Sequence, residues 1–270
     1  MSEKGPSLTV LRRDGPAYQV LLAGVSSAVA NTVRRAMMAY VPTLAIDEVI
    51  FDENSTSFYR EYIAHRLSLI PIKTIMSYAE LADNYFEPKA EVDMVLDVRA
   101  TGDTTVYASE LKFPDGSVAT DHPRIPIISM TNGQSLRAEI RARIGTGREH
   151  AKWQPISAAS VVDYPVIELK SECDDCSKCA EACPTGAIGV EGGRLVVRDE
   201  LACTLCEACV EACPEAISVK GDKERHVLSF ELNGQLDART TFMTALEILN
   251  RELSNILSQL EVLVSEEKAN

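Results

Sequence analysis

The chain holds no apolar run near the ~20 residues that a helical membrane span requires, so no membrane segment is expected. Its first residues, MSEKGPSLTV, lack the apolar stretch of a secretory signal, and a cytoplasmic protein is expected. Positive charge is in short supply: 27 Lys and Arg face 40 Asp and Glu, a net charge of −13. A surface of that sign is repelled by phosphate backbones, so direct sequence-specific nucleic-acid binding is not expected. No flavin or nicotinamide fingerprint is present, and "GRLVVRDELACTLC" has no dinucleotide-binding glycine pattern. No Asp-rich loop of the kind that holds catalytic magnesium appears. Cysteine is missing from most of the chain: all eight residues fall between 173 and 213.

What is present is a duplication. Cys173, Cys176, Cys179 and Cys183 are spaced x2, x2, x3, with Pro184 next. Cys203, Cys206, Cys209 and Cys213 repeat that spacing after 30 residues, with Pro214 next. The flanking text repeats too, "CAEACPTGAIGV" answering "CVEACPEAISV", which marks an internally duplicated unit. A lone CxxC suits zinc or a redox dithiol, and disulfides need an oxidising compartment. Two copies of C-x2-C-x2-C-x3-C-P are far more specific and resemble bacterial-type ferredoxins, where three cysteines of one run and the fourth of the other bind each cluster. That resemblance implies two [4Fe–4S] clusters. Cys173, Cys176, Cys179 and Cys213 would hold one, and Cys203, Cys206, Cys209 and Cys183 the other. No ligand position is substituted, so neither is expected to be a three-iron form. Ala180, Ala182, Ala208 and Ala212 would let backbone pack against the clusters. Residues 171–225 carry twelve Asp and Glu against six Lys and Arg and few large apolar residues, so a metal staple is expected to hold this segment together.

The 270 residues suggest two or three domains, and 46% hydrophobic content allows a sizeable core. Residues 7–12 and 17–22 read as strands joined by a turn at Asp14–Gly15–Pro16. A helix fits 26–40, capped by Ser26 or Ser27 and ended by Pro42, with Ala30, Val33, Met37 and Tyr40 on one face. From Thr43 to about Lys170 alternation predicts mostly strand, as in Val92, Met94, Leu96 and Val98, or Ala138, Ile140, Ala142 and Ile144. One helix is expected to interrupt, over "FYREYIAHRLSLIPI". A strand fits 226–232, and Asp237 is a plausible N-cap for a long C-terminal helix. In that helix Phe242, Leu246, Leu249, Leu253, Ile256, Leu260 and Leu263 alternate 4-3, a narrow seam of the kind that meets another helix. Part of the seam must pack on the chain's own sheet; its persistence toward the C-terminus predicts a partner chain as well.

The blocks "ANTVRRAMMAYVPTLAIDEVIF", "FYREYIAHRLSLIPI" and "REHAKWQP" resemble the alpha-like subunits of RNA polymerase. The archaeal branch of that family, some members of which carry a ferredoxin-like insert, is the nearest match, and the likeness covers nearly the whole chain. It implies an α+β architecture in three parts. These are a discontinuous alpha-like dimerisation domain (1–45 and 226–270), an inserted β-rich domain (46–170) and a ferredoxin-like domain (171–225). It implies a non-catalytic role. The chain would pair with a small alpha-like subunit and then nucleate the large catalytic subunits, with small accessory subunits alongside. The interface would draw on Val33, Arg34, Arg35, Met37 and the seven seam residues, and one of the two arginines would face the large subunits.

The competing reading is a dicluster ferredoxin-type electron-transfer subunit of an oxidoreductase, which the missing cofactor fingerprints oppose. A free-standing enzyme is weaker. His65 sits in an apolar helix, where a packed or hydrogen-bonded histidine is expected, and His150 precedes Trp153 in a block that reads as an interface or folding element.

Overall fold

The computed structural model describes residues 5–170 and 177–269, with side chains described as far as Glu261. Cys173, Cys176 and the side chain of Leu263 therefore lie outside the described residues. In chain order the elements are β1 (Ser7–Asp14), β2 (Ala17–Ala23), α1 (Ser27–Ala39), β3 (Thr43–Asn54), α2 (Arg60–Ser68), α3 (Tyr78–Phe86), β4 (Glu91–Arg99), β5 (Thr104–Tyr107), β6 (Pro126–Met130) and β7 (Ser135–Gly145). There follow β8 (Ile156–Leu169), α4 (Lys178–Glu181), β9 (Ile188–Glu191), β10 (Arg194–Val197), α5 (Ala208–Ala212), β11 (Ile217–Leu232) and α6 (Ala238–Ala269). The architecture is α+β, rich in strand, as the sequence leads one to expect.

Two compact units result. The first comprises Met1–Arg13, Tyr18–Asn31 and Ser160–Ser229. Its main sheet has the order β1-β2-β11-β8, so strands far apart in sequence become neighbours. β8 and β11 are the strands on which the cysteine-bearing segment leaves and returns. β8 falls inside the range expected for the inserted domain, yet it pairs with β11 at the edge of a sheet that also holds β1 and β2. Val20, Leu22, Val227 and Leu228 are buried here.

The second unit comprises Asp14–Ala17, Thr32–Ala159 and Phe230–Asn270. Its three-stranded antiparallel sheet runs β3-β7-β4, with Met94 opposite Ile140 and Leu96 opposite Ala138. The alternation behaves as the pattern predicts: Leu136, Ala138, Ile140, Ala142 and Ile144 are buried while Arg137, Glu139 and Arg141 face water. On that wet face Arg141 meets Glu48 at 3.3 Å and Asp93 at 3.1 Å, exposed pairs of small energetic weight. α2 buries only Ile63 and Leu67, and a small β5–β6 hairpin completes the sheets.

One helix in this unit departs from the expectation of strand. α3 packs against α6 and starts in a capping box: Ser77 Oγ accepts from the Glu80 N–H at 3.3 Å, and the Glu80 carboxylate accepts from the Ser77 N–H at 2.8 Å. Arg251 of α6 donates to Asp83 at 2.6 Å and Tyr85 to Glu252 at 2.9 Å, fixing the two helices side by side. Burial first, then the Glu252 carboxylate, pushes the Tyr85 phenol up to about 12. α6 begins where the sequence places it: Asp237 accepts from the Thr240 N–H at 2.9 Å and from its hydroxyl at 2.7 Å.

Candidate metal centre and interface

The duplicated cysteine motif folds as a duplicated backbone. Ser177 (φ 51) and Glu207 (φ 60) each stand two residues before a buried cysteine, in the left-handed conformation that side chains rarely adopt. Each opens one short helix, α4 or α5. Cys179 and Cys209, 30 residues apart, are 0% and 8% exposed, and both join one apolar cluster with Ile188, Ile217 and Val219. Cys183, Cys203, Cys213, Leu195 and Val197 pack against that cluster. The two runs are therefore interleaved around a common core. Cys206 faces solvent.

The six described cysteines are thiols, with no disulfide among them. The electrostatics tie the fourth cysteine of the first run to the second run. Burial pushes the Cys209 thiol up, and the neighbouring Cys183 and Cys203 sulfurs push it further in the same direction. Burial alone would also raise Cys183, but the Thr185 hydroxyl and the N–H groups of Ile188, Thr185 and Ala187 outweigh it and hold that thiol below its ordinary range. Among the described residues no three Cys, His, Asp or Glu side chains converge as on one metal ion. A mononuclear zinc site would need four ligands within ~2.3 Å of a single centre. A cubane instead gives each thiolate its own iron. The all-thiol donor set, its apolar surround and its backbone N–H donors fit an iron–sulfur cluster.

The expected interface residues divide by exposure. Val33, Met37 and Phe242 are buried, so these three build the chain's own core and do not form an outer contact surface. Helical spacing alone could not separate the inward from the outward face of α1. Arg34 is half-buried and donates to the Ala159 carbonyl at 3.5 Å and the Met38 sulfur at 3.4 Å, while Arg35 is exposed. Along α6, Leu249 is half-buried and Leu246, Leu253, Ile256 and Leu260 are 42–60% exposed. Leu257, outside the 4-3 seam, is 61% exposed as well and widens the stripe.

A second constellation joins two sequence blocks that are 100 residues apart. A register shift between Ile46 and Glu48 leaves Asp47 bulged out of the β3–β7 ladder. Its carboxylate accepts from Lys152 at 2.8 Å and Arg143 at 2.8 Å. Burial alone would raise the Asp47 carboxyl, but those two cations hold it below the usual range. Trp153, 2% exposed, packs against both, with Arg143 4.3 Å and Lys152 4.2 Å from its ring centroid. A Cβ at Gly145 would stand 2.5 Å from that ring, so glycine is what lets the indole in. His150 accepts from the Lys152 N–H at 3.0 Å and starts the short turn, a folding role. His65 is exposed on α2 and not packed, because α2 turns Ile63 and Leu67 inward and His65 out. The buried histidine is His226, which periodicity did not single out.

No helix among the described residues is long and apolar enough to cross a membrane. The RNA polymerase Rpb3/RpoA insert domain family matches residues 46–163, and the 4Fe-4S dicluster domain family matches residues 157–218. The chain is 36% identical over 265 residues to DNA-directed RNA polymerase subunit Rpo3 of Archaeoglobus fulgidus, covering 95% of this chain and 99% of that one. It is 36% identical over 261 residues to the Rpo3 subunit of Methanosarcina mazei (94% and 98%), and 34% identical over 244 residues to that of Methanothermobacter thermautotrophicus (88% and 92%). With an Rpb3/RpoA insert domain, a 4Fe–4S dicluster domain and relatives aligned over almost their full length, the chain belongs to the archaeal DNA-directed RNA polymerase subunit Rpo3 family.

Proposed function

We propose that this chain is the non-catalytic assembly platform of a cytoplasmic archaeal RNA polymerase. It pairs with a small alpha-like subunit, and the pair captures the large catalytic subunits, with small accessory subunits joining. The dimerisation surface lies on α6, and Leu246, Leu249, Leu253, Ile256, Leu260 and Leu263 form its seam. The single observation that carries this reading is the outer half of α6. From Glu252 to Glu261 every described residue is exposed, yet Leu253, Ile256, Leu257 and Leu260 are apolar. A lone helix with so much bare apolar surface is a poor endpoint for a folded chain and a good half of a helix pair. Arg34 is occupied within the chain, so Arg35 is the arginine available to carboxylates of a large subunit. The discontinuous dimerisation domain would take 1–45 and 226–270, with 46–170 and 171–225 inserted in it.

The same proposal assigns two [4Fe–4S] clusters, with Cys203, Cys206, Cys209 and Cys183 on one and Cys173, Cys176, Cys179 and Cys213 on the other. When bound, the clusters supply cross-links between the two cysteine runs. The protein's own part is to present thiolates from α4, α5 and their flanking turns around the Ile188–Ile217–Val219 core. That core is thin, so loading with iron governs how well the segment is folded and, through it, how well the pair captures the large subunits.

Co-expression with a small alpha-like subunit tests the platform reading. Gel filtration with light scattering is expected to show a 1:1 complex that binds the large subunits, whereas each partner alone does not. A chain that stays monomeric beside the small subunit would contradict it.

A further inference from the structure

The two cysteine runs diverge in the turn that follows the fourth cysteine. The first continues Cys183–Pro184–Thr185–Gly186–Ala187–Ile188, the second Cys213–Pro214–Glu215–Ala216–Ile217. Ala187 and Ile188 are buried, as are Ala216 and Ile217, so this pair fixes how the two turns align. Two differences remain. Gly186 is an extra residue, and its φ of 67 is the left-handed conformation that suits glycine. Thr185 stands where the second run has Glu215.

The longer turn folds back onto its own cysteine. The Gly186 N–H donates to the Cys183 carbonyl at 3.3 Å. The N–H groups of Thr185, Ala187 and Ile188 face the Cys183 sulfur, and Thr185 Oγ1 lies 3.6 Å from it. Between a free thiol and a hydroxyl, either can donate. A sulfur bound to iron carries no proton, so there the hydroxyl is the donor. A glutamate carboxylate only accepts, so Glu215 has no such bond to give in the second run.

We infer that Thr185 makes the two clusters unequal: the cluster that Cys183 helps to hold accepts an electron more readily than the one that Cys213 helps to hold. This rests on the two-cluster assignment proposed above. In the reduction one electron passes from a low-potential donor such as dithionite to a cluster. The donor is oxidised, and no bond to the protein forms or breaks. The added negative charge spreads onto the ligating sulfurs. A hydroxyl donating to one of them stabilises the reduced form more than the oxidised form, and hydrogen bonds to the sulfurs are among the levers that set a cluster's potential. The charges beside Cys213 oppose each other: Glu215 is an anion, while Lys170 Nζ donates to the Pro214 carbonyl at 3.2 Å. Both side chains are exposed, so water and salt screen them. The Thr185 hydroxyl touches the sulfur itself and is not screened.

A redox titration of the full chain, loaded with iron and sulfide under anaerobic conditions, tests this. Dithionite and mediator dyes set the potential, and low-temperature electron paramagnetic resonance counts the reduced clusters. The wild type is expected to reduce in two separate one-electron steps. Thr185→Val puts a methyl group where the hydroxyl stood and keeps water from replacing it. The step at higher potential is then expected to fall: at a fixed potential the ratio of reduced to oxidised cluster drops ~10-fold, equivalent to ~59 mV for one electron. The lower step is expected to stay in place. Thr185→Ser keeps the hydroxyl and is expected to match the wild type. Thr185 is exposed, so neither change should disturb folding or iron content. Should Thr185→Val fail to load, the wild-type titration still decides between one step and two. A wild type with ~8 irons, the count for two cubanes, that reduces in a single step would overturn the inference and leave the two-cluster assignment standing. So would a Thr185→Val chain whose higher step does not move. A wild type that takes up no iron and sulfide would overturn the assignment and the inference together.

Discussion

Cys209→Ser is expected to remove one cluster, lowering iron from ~8 to ~4 per chain, the count for two cubanes reduced to one. Loss of the metal staple then loosens the whole of 177–219. Cys209 is 8% exposed at the centre of the cluster with Cys179, Ile188, Ile217 and Val219, and the rest of that core is small. Where a segment cannot bury enough apolar surface, the free energy of metal binding is the free energy of folding. Without iron, the neighbouring Cys183 and Cys203 sulfurs also oppose ionisation of the Cys209 thiol. The β3-β7-β4 sheet and the α3–α6 pair have a core of their own, so the heterodimer is expected to survive. Capture of the large subunits is expected to fall. Cys206→Ser separates ligation from packing, because Cys206 faces solvent and leaves no cavity when changed. The two variants should lose the same amount of iron. Full iron content in Cys206→Ser, or active polymerase at wild-type yield from both variants, would refute the staple.

The second large effect concerns α6. Changing Leu253 and Leu260 together to Asp is expected to weaken pairing with the small subunit at least ~1,000-fold, about 4 kcal/mol. Both residues are at least half exposed and touch little within the chain, so the fold has small reason to respond. In a helix pair each leucine would be covered, which is worth ~1.5–3 kcal/mol for a fully buried side chain and proportionately less from a half-exposed start. The larger loss comes from the new carboxylates, which would be buried without partners. Iron content should not change. Gel filtration and titration calorimetry read the pairing directly; unaltered affinity would show that the outer stripe of α6 meets nothing.

How much of this was legible in the residues depends on how local each signal is. The 30-residue cysteine period is local, and it appears in space as the matched left-handed residues Ser177 and Glu207 and the matched buried pair Cys179 and Cys209. The alternation on β4 and β7 is local too, because one face of that sheet is wet. α3 was hidden because its nine residues bury only Leu81 and Ala82, too few to set a period. The Ser77-x-x-Glu80 capping box was the available sign. β11 runs from Ile217, nine residues earlier than the alternation at 226–232 suggests, because "SVKGDKER" is charged and contains Gly221. Its extended form is imposed by neighbouring strands that no local window contains. The Asp47 contacts with Arg143 and Lys152 and the pairing of His226 with Asp163 each join residues some 60 to 105 positions apart. Nothing in either partner's neighbourhood announces the other. For the same reason helical spacing could not say that Val33, Met37 and Phe242 are buried within this chain.

The central claim, that this chain is the platform on which a polymerase is built, is tested most directly by affinity-purifying it from its native host under anaerobic conditions and weighing the intact complex by native mass spectrometry. The expected result is one copy of this chain in a complex with a small alpha-like subunit and the large catalytic subunits of RNA polymerase, with a mass excess matching two iron–sulfur clusters. Recovery instead with flavin- or nicotinamide-dependent oxidoreductase subunits, and without polymerase subunits, would contradict it.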